Sequence, residues 1–321
     1  MKRKKRIALL LCALCFAMTF SAGGCHRPET DPNTNPAPQW SDAPLTSRQP
    51  IVDNPLIDES SLTEPEVSTM QETLRGKTVV LDPGHGFGDT GCSFPHAPLL
   101  EKDLTPVLVE RLRTLLEADG VTVLLTHDGQ HFPSGTELKG LATSLSYDLD
   151  DYLTRLVGRF SGRDEVRQAE TIATFRNGIN DDDLFNIYER SYCANLLSAG
   201  AEHPSDLFVS IHVNANENSS ALSGFELYRC TDTPYAERSR ELMDALERGL
   251  QTTFPQTALR KIAWDWEEAF AVNKYPDMPS VLVEAGYATN PTDEANLQNE
   301  AWQNAFARAL ADGIELFLLD L

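Results

Sequence analysis

The sequence predicts an α/β domain: a single, mostly parallel twisted sheet of about six strands, helices on both faces, and a helical insertion. Two observations carry this expectation. Short apolar runs rich in β-branched residues alternate with segments of helical periodicity. Residues with metal-binding or proton-transfer chemistry fall at or just beyond the ends of those runs, where open α/β sheets form their sites. A chain of 321 residues with 41% hydrophobic content is long enough and apolar enough to bury such a core.

In chain order, Thr78 to Leu81 reads as the first strand, followed by a helix from Leu104 to Leu116 with Asp103 as its N-cap. Val121 to Leu125, Leu207 to Ile211, Phe225 to Tyr228 and Val281 to Val283 read as further strands, and a short run at Ala269 to Val272 as one more. Helical spacing returns from Tyr235 to Leu250 and from Trp302 to Leu318. The alternation breaks between about residues 129 and 183. There Leu149, Tyr152, Leu153, Leu156, Val157 and Phe160 recur at helical spacing, and Glu165 to Phe175 reads as a second helix. The acidic runs at 148–151 and 181–183 read as solvated or helix-start charge rather than cation sites.

Ahead of the domain, MKRKKR, the apolar run Ile7 to Phe20 and the small residues SAGG have the layout of a bacterial export signal over residues 1–24. Cys25 follows, which resembles a lipoprotein signal in which the cysteine is lipidated, although Ala22 stands where leucine is commoner. Residues 25–75, polar and proline-rich, read as a disordered tether with a span of roughly 40 Å. The domain itself is then residues 76–321, at the outer face of the cytoplasmic membrane or secreted. Losing residues 1–24 removes five basic residues and no acids from a net charge of −21, leaving −26. Such an acidic chain is a poor partner for nucleic acid, which needs clustered Lys and Arg. Of six cysteines, Cys92, Cys193 and Cys230 remain in the domain, too few and too scattered for a disulfide framework or a thiolate zinc site. Cys92 reads as a small buried thiol.

Four stretches carry the chemistry: LDPGHGFGDTG around His85, LLEKD around Glu101, SIHVNAN around His212 and VLVEAGYATN around Glu284. Two histidines and one glutamate can supply the three protein ligands of a catalytic zinc and leave a fourth position for water. The second glutamate is then free to move protons. Taken singly, a histidine after a glycine turn or a glutamate before a helix has a bland reading. Their shared placement at one sheet edge raises the four together above background.

The same stretches, with YERSYCANLL, GFELY and LLEKDLTPVLVERLRTLLEADGVTVLLT, resemble the zinc-dependent N-acetylmuramoyl-L-alanine amidases of the amidase-3 type from about Lys77 to Leu319. The resemblance implies that His85, Glu101 and His212 bind one Zn2+ and that Glu284 is the catalytic carboxylate. It implies a peptidoglycan substrate, cut between N-acetylmuramic acid and L-alanine. Arg190 matches the family's arginine before Ala-Asn and either orients substrate or braces the site through a carboxylate; Asn214 either donates to substrate or fixes its loop. Two departures stand out: Thr126 is followed by His127 and Asp128 where the family usually has Thr-Arg, and the insertion replaces a short connection. The insertion is open to three readings: a lid, a docking site for a protein activator, or a stabilising decoration. A different zinc amidohydrolase or peptidase of the wall, and an inactive wall-binding regulator, are the competing functions. A monomer is the expected state.

Overall fold

The computed structural model describes residues 72–158, 187–264 and 271–320, with parts of 169–177. The signal at 1–24, Cys25, the tether up to residue 71, Phe160, the first part of the helix expected at 165–175 and the acidic run at 181–183 lie outside the described residues. The elements in order are β1 (Thr78–Pro83), α1 (Glu101–Ala118), β2 (Thr122–Leu125), α2 (Gly135–Ser144), α3 (Leu149–Gly158), α4 (Ile187–Gly200) and β3 (Leu207–Asn214). They continue with β4 (Phe225–Cys230), α5 (Ala236–Thr253), β5 (Leu259–Trp264), α6 (Ala271–Lys274), β6 (Ser280–Tyr287), α7 (Pro291–Leu297) and α8 (Glu300–Leu319).

The six strands form one sheet in the order β2-β1-β3-β6-β4-β5. Every neighbouring pair is parallel except β4 and β6, so β4 and β5 run against the other four. The period-two pattern of the central strands sorts their side chains between two cores. Val79, Leu81, Val209, Ile211, Val281 and Val283 join the larger one, with apolar residues of α1, α5 and α8. Val80, Phe208 and Leu282 point the other way, toward Ala194 of α4 and Val272 of α6. Helices therefore cover both faces, as the alternation predicts.

Two local expectations need correction, and one strand was not expected. The run at Ala269–Val272 is not a strand: residues 271–274 form α6, and 269–270 lie outside the described residues. A short apolar run does not reveal its own period. The sixth strand is β5 instead, an edge strand whose Arg260 and Lys261 hide its strand character, as charged residues on sheet edges often do. Asp103 does not cap α1; the helix starts at Glu101, and Leu100 at the N-cap makes no side-chain bond. Asp103 supplies first-turn negative charge, which favours the helix dipole.

The insertion is helical, with one helix more than its periodicity suggests. Ser134 accepts from the Glu137 backbone at 3.2 Å while the Glu137 carboxylate accepts from the Ser134 backbone at 2.8 Å, a capping box that starts α2. Leu138, Tyr152, Leu153 and Phe175 pack with Tyr192 and Cys193 of α4 into a separate core. The insertion is thereby anchored on the α4 side of the sheet.

Candidate active site

The carboxyl ends of β1, β3 and β6 lie side by side, and three of the four singled-out residues project there. His85 follows β1, His212 is in β3, and Glu284 in β6 is the register partner of His212. Glu101 enters from the first residue of α1. The pairing of β3 with β6 shifts register between His212 and Asn214, a bulge of the kind that re-aims side chains near sites. Gly84 makes room: a Cβ there would lie 2.5 Å from His212 Nδ1.

Glu101 Oε1 is 3.1 Å from His85 Nε2 and 3.2 Å from His212 Nδ1. The same carboxylate accepts from the backbone of Val213 at 2.8 Å and of Cys92 at 2.9 Å, which fixes its plane. One donor atom from each of His85, Glu101 and His212 lies within 4.8 Å of the others. His85 Nδ1 meets Asp89 Oδ2 at 2.8 Å, so a carboxylate sets its tautomer and leaves Nε2 for a metal.

Charge follows from this packing. Burial alone would raise Glu101, but hydrogen bonds from His212 and His85 hold it well below the usual carboxylate range. Burial pulls His85 down, yet its bonds to Asp89 and Glu101 outweigh that and raise it to about 10. Burial and the neighbouring His85 lower His212. Glu284 moves the opposite way from Glu101: burial, then the charges of Glu101 and Glu226, push it well above the normal carboxylate value. Its Oε2 is buried and has no hydrogen-bond partner among the described residues. Burial and Glu101 also raise the Cys92 thiol, whose Sγ donates to the Val213 carbonyl at 3.4 Å. Cys92 is half-buried beside the cluster and is not one of its three converging donors.

Arg190 is buried and bonds to the end of β1 and the turn that follows. Its Nη1 donates to Asp82 Oδ1 at 2.9 Å and to the Pro83 carbonyl at 2.6 Å, and Nη2 donates to the His85 carbonyl. Asp82 is fully buried and also accepts from Thr126 at 2.5 Å and Ser210 at 2.7 Å. His127, the departure from Thr-Arg, is buried against this pair. Burial and Arg190 lower it to about 4, so the ring is neutral. Gly129 N donates to its Nδ1 at 3.1 Å, which leaves the Nε2 proton for the Pro83 carbonyl at 2.7 Å. Asn214 is buried as well: its Nδ2 donates to Glu226 Oε2 at 2.6 Å and its Oδ1 accepts from Ala215 N at 2.8 Å.

Sequence reasoning overlooked Asp82, Asp89 and Glu226. The first two lie inside the His85 motif, where the spacing of Asp89 four residues on was the available signal. Glu226 lies inside the GFELY motif, and its place opposite Glu284 in the β4–β6 ladder comes only from long-range pairing.

Fold and site together define an α/β domain with a candidate metal centre at the carboxyl edge of its sheet. The chain belongs to the N-acetylmuramoyl-L-alanine amidase family (Amidase_3), whose model matches residues 79–150 and 168–316. The resemblance read from the motifs is borne out, and the family model reaches further than expected: it covers much of the insertion and leaves only residues 151–167 unmatched. N-acetylmuramoyl-L-alanine amidase LytC of Bacillus subtilis is 28% identical over 255 residues, which is 78% of this chain and 38% of LytC. The probable cell wall amidase LytH of Staphylococcus aureus is 25% identical over 245 residues, 76% of this chain and 59% of LytH. The chain thus spans less than two thirds of either relative. The catalytic domain of CwlV from Bacillus (Paenibacillus) polymyxa var. colistinus has a similar fold, with a TM-score of 0.50 at 23% identity, covering 76% of this chain and 98% of that one. An N-acetylmuramoyl-L-alanine amidase from Clostridium difficile 630 gives 0.51 at 22% identity, with 76% and 97% covered.

Proposed function

We propose that this domain hydrolyses the amide between the lactyl group of N-acetylmuramic acid and the L-alanine of a peptidoglycan stem peptide. One zinc ion per chain is held by His85, Glu101 and His212, and Glu284 carries protons. The observation that supports this most is the convergence of those three donors beside a buried, unpartnered Glu284 oxygen. Two imidazoles and a carboxylate fit a catalytic zinc, which keeps a fourth position for water. Zinc, when bound, supplies a Lewis acid and brings the pKa of a bound water to about 7.

The chain does the rest. Glu284 accepts the proton of the attacking water and delivers it to the leaving nitrogen, which an amide requires because an amine anion leaves very poorly. Its raised proton affinity suits the second half of that task. Asp89 orients His85, and Arg190 ties the His85 carbonyl to Asp82 so that the loop holds its shape.

We further propose that the domain works outside the cytoplasmic membrane as a monomer, held by a lipid on Cys25 and the tether that follows. Among the described residues no helix is long and apolar enough to cross a membrane. Replacing Cys25 by serine and finding the protein still in the membrane fraction would refute lipid anchoring.

Digestion of purified peptidoglycan, with and without zinc, followed by mass analysis tests the activity. The expected products are peptides that begin with L-alanine and glycan with intact muramic acid. Cleavage at any other bond, or none with zinc supplied, sinks the reading.

A further inference from the structure

We propose that Phe87 forms the floor of a sugar subsite beside the metal ligands, stacking on a pyranose ring of the glycan strand. This rests on the amidase reading above and adds a binding residue to it.

Phe87 is 45% exposed, and only Val107, at 40%, shares that state among the large hydrophobic residues described. A single exposed apolar side chain needs no explanation. This one also sits at φ 55, a left-handed backbone conformation that glycine adopts freely and phenylalanine does not. Its turn is tight: Gly86 and Asp89 exchange backbone hydrogen bonds of 2.8 and 3.0 Å, with Phe87 and Gly88 at the tip. A positive φ at Phe87 and not at Gly88 is the pattern of turns that normally put glycine first. Both exposure and strain would vanish with glycine at 87, so something else favours the ring.

The ring is also held. Phe132, from the start of the insertion, meets it edge-to-face with centroids 5.8 Å apart. Phe132 in turn stacks on His127 at 4.5 Å, and a Cβ on Gly86 would lie 2.5 Å from the Phe132 ring. Through His127 this aromatic series is anchored to the Pro83 carbonyl. The insertion thus buttresses a residue at the site, a contact that a purely decorative subdomain does not require.

Position selects the occupant. Phe87 is two residues from His85, no more than about 7 Å along the backbone. The same turn carries Asp89, which holds the His85 ring. In the proposed substrate only a lactyl ether separates the scissile carbonyl from the muramic acid ring, so sugar must lie close to the ligands. A pyranose presents a face of C–H bonds with hydroxyls at its rim, which matches the electron-rich face of an aromatic ring. The L-alanine methyl on the other side of the bond is too small to cover that face.

The test uses the full chain and a peptide-free tetrasaccharide of alternating N-acetylglucosamine and N-acetylmuramic acid, titrated calorimetrically against wild type, Phe87→Gly and Phe87→Trp. Phe87→Gly is expected to weaken binding about tenfold, in the range of an aromatic stack, with an unchanged or higher melting temperature. Phe87→Trp restores binding. On peptidoglycan fragments the loss appears in KM rather than in kcat. Equal binding by wild type and Phe87→Gly overturns the subsite. So does lost affinity for free stem peptide with tetrasaccharide binding intact, and so does a fall in kcat with unaltered binding. Tetrasaccharide binding that depends on Phe87 in a protein that cleaves no muropeptide would refute the amidase reading and leave the subsite standing.

Discussion

Glu226 stands directly opposite Glu284 across the one antiparallel junction of the sheet, so two buried carboxylates share its carboxyl edge. They are treated very differently. Glu226 pairs with Arg260 and accepts from Tyr228 at 2.5 Å, Tyr287 at 2.8 Å and Asn214 at 2.6 Å. Glu284 Oε2 has no hydrogen-bond partner among the described residues. One carboxylate is held by four partners and the other is kept available. Glu226→Ala would strand Arg260 and three neutral donors. Arg260 is partly exposed, so the main loss is the stranded donors, which costs about 1–3 kcal/mol, or a melting temperature lower by about 5 °C for a domain of this size. Thermal unfolding checks it, and a shift of under 2 °C would mean the cluster is not a structural hub.

Glu284→Gln separates proton transfer from metal binding. The amide keeps the shape of the side chain but has no basic oxygen. Loss of a positioned general base typically costs about 10²–10⁴-fold in rate, with zinc stoichiometry unchanged because Glu284 is outside the three-donor cluster. Turnover on a defined muropeptide and metal content by emission spectroscopy are the two readouts. Loss of zinc together with activity would instead make Glu284 a ligand.

The ligand set can be loosened from two sides. Gly84→Ala puts a methyl 2.5 Å from His212 Nδ1, and Asp89→Asn weakens the partner that orients His85. Partners behind metal ligands are worth roughly 10–100-fold in affinity. Both variants should release zinc to a competing chelator at correspondingly lower chelator concentration. Wild-type retention in both would show that neither contact shapes the metal site.

What the sequence made legible and what it hid follow from the range of the interactions. His85, His212 and Glu284 were readable because each lies at or just past the end of an apolar β-rich run, and parallel strands gather such ends at one edge. Glu101 was readable as chemistry but misplaced by one element boundary: it is the first residue of α1, and its carboxylate ties Cys92 of the preceding loop to Val213 of β3. β5 stayed hidden because an edge strand with Arg260 and Lys261 lacks an apolar run. The Asp82–Arg190 pair spans 108 residues, and no local pattern marks such a partnership. The Phe87–Phe132 contact depends on how the insertion folds back, which periodicity does not specify.

Away from the site, Glu315 on α8 makes a prediction about pH. It is buried with Asp119 and Asp312, and Arg308 is the cation that reaches the group, 3.8 Å from each aspartate. Burial, then the charge and hydrogen bond of Asp119, push Glu315 up to about 9, whereas an unfolded glutamate titrates near 4.5. Between those values the folded chain keeps a proton that the unfolded chain gives up. Stability from this group is therefore fully present below about pH 4.5 and is lost as pH rises toward 9, by at most about 1.4 kcal/mol per pH unit. Glu315→Gln replaces the protonated acid by a neutral isostere that can still donate to Asp119, and so removes the titration. The variant and wild type should unfold at similar denaturant concentrations near pH 5, and the variant should be increasingly more stable from pH 6 to 8.5. Parallel pH profiles for the two proteins would show that Glu315 is ionised in the fold and that Arg308 alone neutralises the cluster.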